Sequence, residues 1–141
     1  MRVAVVMAPK SGDCPRLRSV AESVVRTLEK RCYSSELINT SIDSDKKLIL
    51  FDYIVFISEG VSLFSAGIAS SLSLYLRNCG NIAGKRAATV LAGGTLRKSA
   101  AMAKLMKDVE AEGVILKTGQ IITKSSEAEA FAMNLNVERN F

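Results

Sequence analysis

The chain of 141 residues contains no histidine and no tryptophan, only two prolines, and three cysteines. Without imidazole, histidine-based acid–base chemistry, a Ser-His-Asp triad and nearly every common transition-metal site are excluded. Cys14, Cys32 and Cys79 contain no Cys-x-x-Cys spacing, and an odd number cannot all pair within one chain. A reducing, cytoplasmic setting is therefore expected. Two prolines and nine glycines leave little room for linkers or low-complexity tracts. Long apolar runs are missing as well. Val3–Ala8 is apolar but short and ends at Pro9-Lys10, which does not read as a signal peptide. The longest uncharged run, Gly60–Leu76, holds five serines and two glycines and makes a poor membrane span.

What remains is a chain that is 48% apolar and 23% charged, a balance that argues against disorder. Its length suits one domain, residues 1–141, with a single buried core. Nineteen Lys and Arg against fourteen Asp and Glu give a net charge of +5, which favours anionic ligands or partners over cationic ones.

Two hydrophobic periods alternate along the sequence. Val3–Met7 is a continuous apolar run, as expected of a strand buried on both faces. Leu17, Val20, Ala21, Val24, Val25 and Leu28 recur at three- and four-residue steps and predict an amphipathic helix. Ser35–Asn39 reads as a short edge strand, and Asp52–Ile57 as another buried one. A helix is expected from about Ala66 to Cys79, capped by Gly80. Ala87–Leu91 is the fourth strand. Met102, Leu105, Met106 and Val109 line the next helix, which stops at Gly113. Val114–Leu116 and Ile121-Ile122 form a fifth strand, broken near Gly119. A last helix begins near Ser126, with Ser126 and Glu129 as a capping-box pair, and buries Phe131 and Leu135. Val5, Val24, Val55, Ile57, Val90, Met102, Leu105 and Phe131 are expected in the core.

Strands alternating with helices of this length imply right-handed crossovers and a parallel sheet covered on both faces. Ligands of such sheets bind beyond the carboxyl ends of the strands. The first loop there reads Ala8-Pro-Lys-Ser-Gly-Asp-Cys-Pro15 and leads straight into a helix. A strand–loop–helix corner of this kind turns backbone N–H groups toward one point at the positive end of a helix dipole, as a phosphate requires. The same residue types also make ordinary turns and caps. Arg16 and Arg18 in the first helix, with Arg97 and Lys98 in the third, sit where cations oppose the dipole. An anion near Lys10, Ser11, Gly12 and Cys14 would explain that placement, and a basic surface partly offset by Asp13 is the plainer alternative.

Other chemistries fail on spacing. A Cys-x5-Arg phosphatase loop would need arginine six places after Cys14, where Val20 stands. A receiver domain would need paired acids after strand one and an acceptor aspartate after strand three, where the chain has Ser58-Glu59-Gly60. No G-x-G-x-x-G follows the first strand.

Four pieces together resemble the flavodoxin family over nearly the whole chain. They are Arg2–Met7 with the Ser11-Gly12 turn, Leu50–Ser58 with its Asp52-Tyr53 start, Asn81-Ile-Ala-Gly-Lys85 leading into strand four, and Ala92-Gly-Gly-Thr95 ending it. The resemblance implies a three-layer α/β sandwich with a five-stranded parallel sheet in the order 2-1-3-4-5. It also implies FMN, with the phosphate in a first loop close to Thr-x-Thr-Gly-x-Thr. Here that loop reads Pro9-Lys10-Ser11-Gly12-Asp13-Cys14, keeping the middle hydroxyl and the glycine and losing both outer hydroxyls. The isoalloxazine ring would lie between the loops after strands three and four. Ser58, Gly60 and Phe64 on one side, and Ala92, Gly93, Gly94 and Thr95 on the other, are its expected neighbours.

No catalytic side chain and no metal are implied, since the chemistry would belong to the flavin. The leading expectation is an FMN-binding electron-transfer protein. Its redox partner would carry an acidic surface, and neither membrane nor nucleic acid is expected as a partner. The rivals are a flavodoxin-like binding or assembly module without flavin, and a small NAD(P)H-dependent flavin reductase.

Overall fold

The computed structural model describes residues 1–9, 14–59, 70–92 and 98–137. Five strands and four helices follow one another as β1 (Arg2–Ala8), α1 (Pro15–Lys30), β2 (Ser34–Asn39), β3 (Tyr53–Ser58), α2 (Ser70–Asn78), β4 (Arg86–Leu91), α3 (Lys98–Glu110), β5 (Ile115–Ile121) and α4 (Ser125–Asn134). All strand pairs are parallel, in the order β2-β1-β3-β4-β5. This is the three-layer α/β sandwich and the strand order expected.

The apolar strands are central because both of their faces are covered. Val3, Val5 and Met7 of β1, with Tyr53, Val55 and Ile57 of β3, pack with Leu17, Val20, Val24 and Leu28 of α1 and Phe131 of α4. Ala4, Val6, Ile54 and Phe56 face the other way, toward Leu72 and Tyr75 of α2 and Leu105 of α3. Each fully buried Val, Leu or Ile contributes about 1.5–3 kcal/mol of transfer free energy. The eight residues expected in the core are all buried. Leu74 stands outside, 59% exposed, on the outer face of α2.

α1 ends in a Schellman turn. The Tyr33 amide donates to the Leu28 carbonyl at 3.1 Å and the Cys32 amide to Glu29 at 3.0 Å. Cys32 occupies the left-handed position, with φ of 69°, that glycine usually takes. Arg31 beside it donates to the carbonyls of Ala132 and Leu135, both at 2.7 Å, and so holds the end of α4 against α1. α2 stops before Gly80, whose φ of 94° supplies the expected cap. Residues 66–69, where the sequence pattern starts this helix, lie outside the described residues.

Two expectations need correction. β5 is not broken at Gly119: the strand runs through it, and the irregularity lies at Lys117, where the partner register steps from Leu116 to Thr118. Gly119 is there because β4 leaves it no room. A Cβ on this residue would stand 2.8 Å from Thr89 Oγ1. The capping box at Ser126 and Glu129 does not form either. α4 starts one residue earlier, with Lys124 at the N-cap and no side-chain cap from it. Glu127 instead accepts from the Thr123 hydroxyl at 2.8 Å and from the Thr123 amide at 3.3 Å. The contact that forms is therefore upstream and one-sided, with both donors on Thr123. Among the described residues, no helix is long and apolar enough to cross a membrane.

Candidate functional site at the carboxyl edge of the sheet

The parallel register brings the ends of β1, β3 and β4 level, with Ala8 beside Ser58 and Ser58 beside Leu91. Ser58 is fully buried, and its carbonyl accepts from the Ala92 amide at 2.9 Å, so β4 is zipped to β3 one residue past its formal end. On the other side of β1, the Thr40 amide donates to the Met7 carbonyl at 3.0 Å. The Thr40 hydroxyl donates to Ser71 Oγ at 2.9 Å, and Ser71 donates to the Pro9 carbonyl at 3.1 Å. This short relay ties the first turn of α2 to the ends of β1 and β2. It rigidifies the rim where the crossover loops leave.

Of the candidate residues, Cys14, Ser58 and Ala92 lie among the described residues, and all three stand on this one edge. Lys10, Ser11, Gly12, Asp13, Gly60, Phe64, Gly93, Gly94 and Thr95 lie outside the described residues.

Cys14 occupies the N-cap of α1 in extended conformation, at φ of −123° and ψ of 103°. Pro15 follows at the first helical position, so one of the helix's leading N–H groups is missing from the start. The Cys14 side chain does not cap the helix by a hydrogen bond. Its Sγ instead lies 3.1 Å from Oε2 of Glu59, to which the thiol donates. Burial raises the pKa of this thiol above its ordinary value, and the hydrogen bond and negative charge of Glu59 raise it further. The nearby amides of Leu17 and Arg16 pull the other way without prevailing. A thiol kept protonated beside an acid is the reverse of an activated nucleophile.

Glu59 is the residue that sequence reasoning missed. It directly follows β3, is only 5% exposed, and is the one carboxylate among the described residues that is so deeply buried. The first turn of α1 contains no acid of its own. Through Cys14, Glu59 brings a negative charge to the helix's positive end from another strand. The acid that meets Cys14 lies 45 residues from it in the chain. The available signal was an ionisable residue ending an otherwise apolar run, which is costly unless it is partnered.

A separate cavity of about 470 Å³ lies between β5 and α4, lined by Tyr53, Lys117, Thr118, Gln120, Phe131 and Asn134 among others. None of the candidate residues lines it. Tyr53 opens β3 and Asn134 closes α4, so this cavity sits away from the carboxyl edge.

No family model matches the chain, and no curated protein matches it by sequence. Solved structures do match. Oxidised Flavodoxin 2 from Bacillus cereus superimposes with a TM-score of 0.70 at 15% identity, covering 94% of this chain and 96% of that one. A flavodoxin from the domain Archaea gives 0.66 at 11% identity over 95% of both chains. The apo form of an NADH:FMN oxidoreductase gives 0.69 at 14% identity, covering 99% of this chain and 94% of that one. The chain has the flavodoxin fold. In a flavodoxin-fold sheet of order 2-1-3-4-5, the crossovers change direction between β1 and β3, which opens a crevice beyond their carboxyl ends. Cys14, Ser58 and Glu59 stand at the carboxyl ends of these strands. At these identities the match concerns architecture and not the ligand.

Proposed function

We propose that the domain binds a flavin across the carboxyl edge of its sheet and serves in one- or two-electron transfer. The observation that carries this reading is the intact switch-point edge, with the ends of β1, β3 and β4 level and closed by the Ala92–Ser58 hydrogen bond. The matching structures, flavodoxins and an NADH:FMN oxidoreductase among them, support the same reading. A bound flavin supplies the electron chemistry, while this chain's part is to hold it, shield it from water and fix hydrogen bonds around it. With Cys14 protonated and no histidine in the chain, proton handling by side chains has little place here. A net charge of +5 suits a redox partner with an acidic face.

FMN ends in a phosphate, and the described residues at the start of α1 offer it a mixed setting, with Arg16 and Arg18 in the first turn and Glu59 beside Cys14. Pro15 lacks an N–H, and the Cys14 thiol at the N-cap is turned to the buried carboxylate of Glu59. That contact favours a second reading, a binding or assembly module that has lost flavin. The visible absorption spectrum of the purified protein, before and after addition of flavin, separates the two. Flavin bands, or quenching of added flavin fluorescence at a stoichiometric endpoint, support the first reading. A colourless protein that leaves both FMN and riboflavin fluorescence unchanged supports the second.

A further inference from the structure

We propose that the cavity between β5 and α4 is a second binding site, which takes a small flat-ringed carboxylate with Lys117 as its charge partner. It lies away from the carboxyl edge, so it stands or falls apart from the flavin reading. An irregularity in β5 shapes it. Before that point Val114 and Leu116 face the layer of α2 and α3, and after it Gly119 and Ile121 do. The step in register therefore turns Lys117 and Thr118, neighbours in sequence, to one side, where Gln120 joins them in lining the cavity. A regular strand would send such neighbours to opposite faces, and a bulge re-aims a side chain in this way. α4 packs on α1 rather than on β5, which leaves the gap between them. Lys117, Thr118 and Gln120 form one wall and Asn134 part of the other, with the rings of Tyr53 and Phe131 also in the lining. At about 470 Å³ the space suits a small molecule. Among the described lining residues Lys117 alone is charged, and it has no ion pair or hydrogen bond among the described residues. The charges around the cavity are otherwise accounted for. Arg31 takes the carbonyls of Ala132 and Leu135 and so offsets the negative end of α4. Glu127 is turned to Thr123, and Arg86, level with Tyr53 in the sheet, is engaged in a contact of its own. Lys124 and Glu129 are exposed and do not line the cavity. One cation among neutral hydrogen-bonding groups suits a single negative charge, and the two rings suit a flat apolar body.

The experiment titrates the full chain with 2-naphthoate and, separately, with the neutral 2-naphthamide, and follows the backbone amide shifts by NMR. Saturable shifts are expected at Lys117, Thr118, Gln120 and Asn134. The carboxylate is expected to bind roughly 10-fold more tightly than the amide, the worth of one charge-assisted hydrogen bond. Lys117→Gln, at an exposed position, is expected to weaken 2-naphthoate by about the same factor and to leave 2-naphthamide unchanged. Lys107→Gln, on α3 across the sheet, is expected to change neither. Ala130→Leu adds volume at an exposed lining residue of α4 and is expected to weaken both probes strongly. Circular dichroism and thermal unfolding establish that each variant is folded. Should Lys117→Gln fail to fold, the parent carries the same test, since salt should weaken 2-naphthoate and not 2-naphthamide. Glu138 follows Val137 in the sequence and lies outside the described residues. If 2-naphthoate binds only in a Glu138→Gln variant, an acid of the chain itself answers Lys117 and the proposal falls. Equal affinity for the two probes, no loss in Lys117→Gln, or shifts gathered at Cys14, Ser58 and Ala92 instead also overturn it. So does the absence of saturable shifts with both 2-naphthoate and the smaller benzoate.

Discussion

Replacing Gly119 with alanine tests whether the path of β5 is set by the room that β4 leaves it. Gly119 pairs with Thr89, and a Cβ added to it would stand 2.8 Å from Thr89 Oγ1 and 3.6 Å from the sulfurs of Met102 and Met106. The methionines give way easily. Thr89 does not, because it is fully buried, β-branched and stiff about χ1, and its hydroxyl lies 3.6 Å from Met102 Sδ. Overpacking of this kind costs about 1–3 kcal/mol. Against it stands the lower backbone entropy of alanine in the unfolded chain, which returns about 0.5–1 kcal/mol. The net expectation for Gly119→Ala is a loss of about 1–2 kcal/mol, or roughly 3–8 °C in Tm for a domain of this size. In a Thr89→Ala background the offending oxygen is gone, and the same substitution should be neutral or slightly stabilising. Urea unfolding of the parent, both single variants and the double variant, followed by far-UV circular dichroism, closes the cycle. A coupling of about 1–2 kcal/mol is expected between the two sites. If Gly119→Ala is as stable as the parent, or costs the same with alanine at position 89, the steric account of this glycine is wrong.

The Tyr75 hydroxyl donates to the Lys46 carbonyl at 2.7 Å, and burial, then the charges of Cys79, Asp43 and Glu36, push its pKa well above the ordinary 10.0. Because the folded state holds this proton longer than the unfolded chain, stability is unaffected below pH 10 and falls as pH climbs past it. Tyr75→Phe should cost about 1 kcal/mol at pH 7 and flatten that alkaline decline, measured by denaturant melts across pH. Alkylation with iodoacetamide, followed by peptide mass spectrometry, should modify exposed Cys32 first, Cys14 slowly, and fully buried Cys79 last. In Glu59→Gln the Cys14 rate should rise several-fold as the raising effect of the carboxylate is removed; an unchanged rate would mean that burial alone governs this thiol.

The sequence by itself determined the layers. Apolar runs such as Val3–Met7 and Tyr53–Ile57 have no polar face and so must lie between two helix layers, while the three- and four-residue spacing of Leu17, Val20, Val24 and Leu28 admits one helix face only. These are local constraints, written in consecutive residues, and the structure returns them with the expected strand order. It also placed the crossover loops at one edge, because they leave parallel strands at their carboxyl ends, and Cys14, Ser58 and Ala92 stand on that edge. What only the tertiary structure decided are contacts between residues far apart in the chain. Thr89 forces glycine at position 119 across a strand pair, so a residue that looked like a break in β5 is what lets it continue. The start of α4 is fixed by Thr123 and Glu127 rather than by Ser126 and Glu129, because chain entry from β5 sets which turn comes first. Glu59 belongs to the same class. In sequence it is an acid after a strand; only the parallel pairing of β1 with β3, which sets their carboxyl ends side by side, carries its charge to Cys14 at the start of α1. Periodicity reports which way a side chain faces within its own element, and it has no access to what stands opposite.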